Sequence, residues 1–294
     1  MKQTKSQPTY KRQRYLLSIV NRVNNNLTTA ELQSFAFIQK MTHKLDFYEF
    51  VPSSNGAYSY QLNEDLEILQ RNGFITLDCT NNDIVVAAVD YEHDKDINSY
   101  QHTLDLDNEI MPQIYHEYSY YFINCDTNAL HIKKEDSEKI IKKKQTFIKN
   151  NQLLFTIGYE GVCIESFINN LIQNDVRLIC DVRKNPLSRK FGFSKRKLEY
   201  ILETVGIQYV HIPELGIESN KRRALETLND YKILFADYSE RLTSKISFLN
   251  EVVSLLQQNT RIALMCLEKD PKMCHRHVIR DYIVEKTHVR SIDL

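Results

Sequence analysis

The sequence predicts an α/β protein: a Rossmann-like three-layer domain with a mainly parallel sheet, preceded by a winged-helix-like α+β domain. Two observations predict the first of these. Short apolar runs at 153–157, 176–182, 207–212 and 261–267 alternate with stretches of helical period, and such alternation is what repeated βαβ units produce. The last run breaks at Asp270-Pro271 before a helical period resumes, so a strand leads through a tight loop into a helix. A third observation predicts the other domain: residues 1–77 read as two helices, a β-ribbon, a third helix and a strand. A chain of 294 residues is long enough for about two domains with cores of their own.

Taken in order, residues 1–14 carry Lys2, Lys5, Lys11, Arg12 and Arg14 and no acid. A basic arm can lie on a phosphate backbone, and it can equally be a solvated terminus. Leu16, Ile19, Val20 and Val23 then recur at helical spacing. Thr28-Thr29-Ala30-Glu31 is a capping box, with Leu32, Phe35 and Ile38 on successive turns behind it. Aromatic residues at 47–50 and the turn Ser53-Ser54-Asn55-Gly56 give the ribbon; Leu62, Leu66 and Leu69 mark a helix stopped by Asn72-Gly73, ahead of a strand at 74–77. This stretch resembles the N-terminal region of the domain of unknown function 488 family and, more distantly, the Panacea domain, through Thr29-x-Glu31-Leu32-Gln33, Phe50-Val51-Pro52, Gly56-x-Tyr58-Ser59, Asp65-Leu66-x-x-Leu69 and Gly73-Phe74-Ile75. Ser53-Ser54-Asn55 departs from the aromatic-rich turn usual there.

Residues 78–150 read as a connecting region, acidic at 78–110 and basic at 132–149. Between these, Tyr115, Tyr118, Tyr120 and Tyr121 alternate with polar residues; such aromatics can stack bases, but without positive charge around them core packing is the better account. The α/β domain takes up residues 151–294.

Its strand ends carry the chemistry. In parallel sheets ligands bind beyond the carboxyl ends of the strands, and those ends hold Gly158-Tyr159-Glu160, Asp181-x-Arg183, His211 and Cys266. After Cys266 come Glu268, Cys274, His275 and Arg276 at a helix start, where unpaired N–H groups favour anions and thiolates. Each residue alone has an ordinary explanation, a buried cysteine above all; together, across a strand-to-helix turn, they read as a site.

The blocks TIGYEG, DVRKNPLSRKFGFSK, YVHIPELG and MCLEKDPKMCHR resemble the signature blocks of the 488 family over residues 153–283. That resemblance implies a fold and a site but no reaction. A weaker likeness joins the chain to rhodaneses and cysteine phosphatases, which also run strand, Asp-x-Arg, and later strand, Cys, anion-cradling loop, Arg, helix. Here nine residues separate Cys266 from Arg276, more than in the phosphatase loop, which argues against direct phosphatase chemistry.

Three chemistries compete. A nucleophilic Cys266 attacks an electrophile held by Tyr159, Arg183, Ser188, Arg189, His211 and Arg276, while Asp181, Glu268 or His275 moves protons and Cys274 is its structural or resolving neighbour. Alternatively Cys266, Cys274 and His275, with Cys180 or His211, bind zinc, although the gap between the cysteines is unlike common ligand spacings. In the third, the cluster is the anion pocket of a non-catalytic DNA-binding regulator or antitoxin-like adaptor. The phosphate-loop, dinucleotide and H-E-x-x-H signatures are absent, which leaves ATP-driven and nicotinamide chemistry unsupported.

The expected function is a nucleic-acid-associated, cysteine-dependent hydrolase or transferase acting on a phosphorylated or nucleotide substrate, with DNA as partner of the N-terminal region. Lys plus Arg and Asp plus Glu both number 38, so only local charge supports a polyanionic partner. Six dispersed cysteines without a C-x-x-C pair argue for a reducing compartment. No signal-peptide core follows the basic start and no apolar run approaches a membrane span, which predicts a cytoplasmic protein without a membrane partner. The sequence specifies neither a cofactor nor an oligomeric state.

Overall fold

The computed structural model describes residues 8–22, 27–80, 83–88, 110–218, 221, 225 and 227–294. The chain divides into two compact units, Met1–Gln145 and Thr146–Leu294. Among the described residues no helix is long and apolar enough to cross a membrane.

In the first unit, α1 (Lys11–Arg22) is followed by β1 (Leu27–Thr28), α2 (Thr29–His43), the hairpin β2 (Val51–Ser53) and β3 (Gly56–Tyr58), α3 (Tyr60–Arg71), β4 (Ile75–Thr80), β5 (Asp83–Ala88), α4 (Ile110–Glu117) and α5 (Lys134–Phe147). The capping box forms as the sequence predicts: Thr28 accepts from the Glu31 N–H while the Glu31 carboxylate accepts from the Thr28 N–H at 2.8 Å. Gly73, at φ 68°, supplies the left-handed turn behind α3. Two expectations need correcting. Helix α1 begins inside the basic stretch, and its Arg12 donates to the buried Asp65 carboxylate, which also accepts from Gln13 and Tyr48. Strand β5, antiparallel between β1 and β4, lies where the sequence suggested acidic surface. Most of that acidic tract, 89–109, and residues 1–7 of the arm lie outside the described residues. Tyr118 and Tyr121 pack edge-on against Phe37, and Tyr115 against Phe122.

The second unit is a five-stranded parallel sheet flanked by helices. Its elements are β6 (Leu153–Gly158), α6 (Ile164–Gln173), β7 (Leu178–Asp181), α7 (Lys195–Thr204), β8 (Gln208–His211), α8 (Leu228–Leu242), α9 (Ile246–Asn259), β9 (Arg261–Cys266), α10 (Arg276–Thr287) and β10 (Ser291–Asp293). The strand order is β10-β6-β9-β7-β8, with every neighbouring pair parallel. Strand β9 is therefore central and all six of its residues are buried, which is why it reads as a continuous apolar run rather than an alternating one. Its Ile262 and Leu264 pack in one core with Ile279 and Ile283 of α10 and Leu249 and Val252 of α9.

The sequence reads as one longer helical stretch over 220–258, but within it Leu228–Leu242 and Ile246–Asn259 are two helices with a 3-10 turn at Thr243–Lys245 between them. Strand β10 is an addition. Three residues with one apolar side chain carry too little pattern to announce a strand, and the sheet edge recruits them through backbone pairing to β6.

Candidate functional site

Parallel register brings the strand ends to one edge: Gly158 lies opposite Cys266, and Asp181 lies between Met265 and His211. Gly158 is needed for its lack of a side chain, because a Cβ there would lie 1.8 Å from the Glu268 carbonyl oxygen. The segment after β9 crosses directly over the end of β6, and its Leu267 carbonyl accepts from the N–H groups of Tyr159 and Glu160.

Two polar assemblies stand at this edge. In the first, Arg183 donates through Nε and Nη2 to both oxygens of Asp181, at 2.8 and 2.5 Å, and through Nη1 to the Tyr159 hydroxyl and the Phe193 carbonyl. Asp181 also accepts from the Tyr209 hydroxyl at 2.7 Å, and His211 Nε2 lies 2.9 Å from the Arg183 carbonyl oxygen. The Tyr159 ring stacks on Phe193 at 4.3 Å. Asp181 is fully buried and Arg183 nearly so. Burial works against the guanidinium charge, but the hydrogen bond and charge of Asp181 outweigh it and the Arg183 pKa lies above its ordinary value.

Arg276 has a comparable occupation. Fully buried, it donates to Thr156 Oγ1 and to the carbonyls of Glu268 and Lys269, and Thr156 in turn donates to Asp293. It ties the loop after β9 to β6 and β10. Ser188 shapes its own loop, its hydroxyl accepting from the Lys190 N–H, and Arg189 is exposed. These residues thus fall into the expected region without forming one pocket: Arg183 and Arg276 spend their donors inside the protein.

The second assembly is Cys266, Cys274 and His275, at 1%, 0% and 1% exposure. Both sulfurs lie 3.9 Å from His275 Nδ1, and the potential ligand atoms of all three are within 4.8 Å of one another. His275 Nε2 lies 3.0 Å from the Val182 carbonyl oxygen; a carbonyl can only accept, so Nε2 carries the proton and in the neutral ring Nδ1 turns its lone pair to the sulfurs. Burial first, and then the neighbouring Cys266, push the Cys274 thiol well above its usual range. Cys180 is buried in the sheet core and raised chiefly by burial; neither it nor His211 joins the cluster.

The Tyr238 ring of α8 packs edge-on to His275 at 5.5 Å, and the same residue lines a cavity of about 360 Å³. Lys184, Lys221, Arg241 and Lys245 surround this cavity, with Glu214, Glu218 and Asp237 as its acids. Arg241 pairs with Asp237. Lys245 donates to the Glu214 carbonyl and sits 5.4 Å over the Tyr238 ring. Its pKa is lowered, by desolvation and then by the charges of Lys184 and Arg241. Gly216 permits the wall: a Cβ there would lie 2.2 Å from the Lys184 nitrogen.

Sequence reasoning missed Lys245, Arg241 and Tyr238 because they lie on what reads as one longer helical stretch, where nothing marks them as lining a cavity. Two signals were present. Lys184 stands beside Arg183 in the motif already noted, and Gly216 closes YVHIPELG.

The family model described as a domain of unknown function, DUF488, matches residues 163–283, within the C-terminal half. The match takes in both polar assemblies from Asp181 to Arg276 and begins after Tyr159. No curated protein and no solved structure matches the chain.

Proposed function

We propose that the C-terminal unit is an enzyme acting on a phosphorylated or nucleotide substrate, with the substrate's anionic group in the cavity between Lys184 and Lys245. The observation that carries this is the cavity. It falls within the size range of small-molecule sites, and it is lined by four basic side chains, Lys184, Lys221, Arg241 and Lys245, against three acids, with Lys245 held below its ordinary pKa by desolvation and then by the charges of Lys184 and Arg241. It adjoins, through Tyr238, the cluster of Cys266, Cys274 and His275. In this reading Cys266 or its neighbours supply the chemistry, and Asp181 with Arg183 forms the scaffold.

The burial of both thiols favours a second reading, in which the cavity binds its anion without turnover and the protein is a regulator. A winged-helix-like role for the N-terminal region, with DNA as its partner, belongs to both readings and rests on the order helix, ribbon, helix.

Calorimetric titration of the full chain with inorganic phosphate and a nucleoside monophosphate tests the cavity. Saturable binding, weakened by Lys184→Gln and Lys245→Gln and unchanged by Arg189→Gln, is expected; no binding at low salt contradicts both readings. Release of phosphate or base from the bound nucleotide separates the enzyme from the regulator.

A further inference from the structure

The geometry points to a metal centre: Cys266, Cys274 and His275 form a three-ligand site for a thiophilic divalent ion, zinc in the first instance. The inference concerns other atoms than the cavity and stands without it.

Three features carry it. The ligand atoms already converge. In a tetrahedral ion with Zn–S near 2.3 Å and Zn–N near 2.0 Å, sulfur and nitrogen stand roughly 3.6 Å apart; here both sulfurs are 3.9 Å from Nδ1. Closing the site takes a contraction of roughly 0.3 Å along each sulfur–nitrogen pair and brings the two sulfurs, which lie within 4.8 Å of each other, to roughly 3.8 Å.

The second feature is the imidazole. Its Nε2 proton goes to the Val182 carbonyl, the backbone partner that commonly fixes a metal-bound histidine in orientation and tautomer. That leaves Nδ1 aimed at the two sulfurs. A sulfur contact of 3.9 Å is a loose hydrogen bond at best, so a lone pair and two thiols share a buried space with weak satisfaction of one another.

The third is charge. Binding converts both thiols to thiolates and releases two protons to solvent, while His275 stays neutral. Two thiolates and one divalent cation sum to zero, so the occupied centre suits a place where all three ligands are at most 1% exposed. Two thiolates and an imidazole also match the soft-to-borderline preference of zinc better than that of magnesium or calcium. Among the described residues no further Cys, His, Asp or Glu joins the group, so the fourth position falls to a water or a substrate atom, as in zinc sites that do chemistry rather than only hold a fold.

Metal analysis of the full chain, purified without chelators, tests this. About one zinc per chain is expected, falling at least tenfold in Cys274→Ser and in His275→Ala and retained in Cys163→Ser. Because the first two variants can fail to fold, wild-type protein stripped by chelator and reloaded with cobalt(II) provides an independent readout. It should show tetrahedral absorption and thiolate-to-metal charge transfer, and loading should protect Cys266 and Cys274 from alkylation while Cys163, which is exposed, still reacts. Trace zinc together with no thiolate–cobalt absorption overturns the site, as does stoichiometric zinc that survives both ligand substitutions. Phosphate binding measured on the stripped protein is read separately, so loss of the metal proposal and loss of the cavity proposal are distinguishable.

Discussion

The two assemblies at the carboxyl edge of the parallel sheet share one address and behave oppositely. Around Asp181 and Arg183, both carboxylate oxygens accept, Nε and both terminal nitrogens of the guanidinium donate, and two tyrosine hydroxyls complete the network. Around Cys266, Cys274 and His275 the contacts are long, and in the adjoining cavity desolvation first, and then the charges of Lys184 and Arg241, lower the Lys245 pKa. The first set satisfies itself. The second leaves capacity for something else, and capacity left over distinguishes a site from a polar brace.

Arg183→Leu should break the comparison on its structural side and have the largest effect. It leaves the fully buried Asp181 carboxylate with the Tyr209 hydroxyl and the backbone N–H of residue 183 in place of a paired charge, and removal of one partner of such a pair costs about 3–5 kcal/mol. Denaturant unfolding at neutral pH should show this loss; an effect below 1 kcal/mol would mean that Arg183 is free to bind ligand.

Next comes Gly158→Ala, which drives a methyl against the Glu268 carbonyl and should cost about 1–3 kcal/mol by overpacking. The loop after β9 must move, so the variant should also loosen the cysteine cluster, seen as faster alkylation of Cys266 and Cys274. Unchanged stability and alkylation would contradict the close crossing of loop and strand.

On the functional side, Lys245→Gln should weaken phosphate binding about tenfold, the size of one charge-assisted contact, with little change in unfolding free energy. The pH dependence carries a definite sign. Protonated Lys245 binds the anion and its pKa is lowered, so affinity should fall as pH rises through a point below the ordinary lysine value of about 10.4, and this decline should vanish in Lys245→Gln. A profile flat to that value would remove Lys245 from the site.

The smallest effect concerns reactivity. With Cys274 pushed well up by burial, metal-free protein treated with iodoacetamide near pH 8 should label the exposed Cys163 first. Early labelling of Cys274 instead would show an activated thiol and strengthen nucleophilic chemistry.

How much of this was legible in the sequence follows from where the determinants lie. The parallel sheet was, because runs such as 261–267 are continuous and apolar and the intervening helices are amphipathic. So was the gathering of Asp181, Arg183 and Cys266 at one edge, since parallel strands share a carboxyl end. The division of labour was not. An arginine two residues beyond an aspartate reads identically whether it folds back onto that carboxylate or reaches into solvent, and rotamers decide which. The cavity was hidden for a different reason: Lys245 enters it through the 3-10 turn after α8, a bend that nothing in the local residue pattern demanded.

The central claim is about where an anion goes, and a heavy oxyanion answers it most directly. Crystals of the full chain soaked in tungstate, measured at the tungsten edge, should give an anomalous peak in the cavity between Lys184 and Lys245, beside Tyr238. A peak at Arg183, at Arg276 or on the Ser188-Arg189 loop, with the cavity empty of tungstate, would contradict the account and return the anion to the arginines.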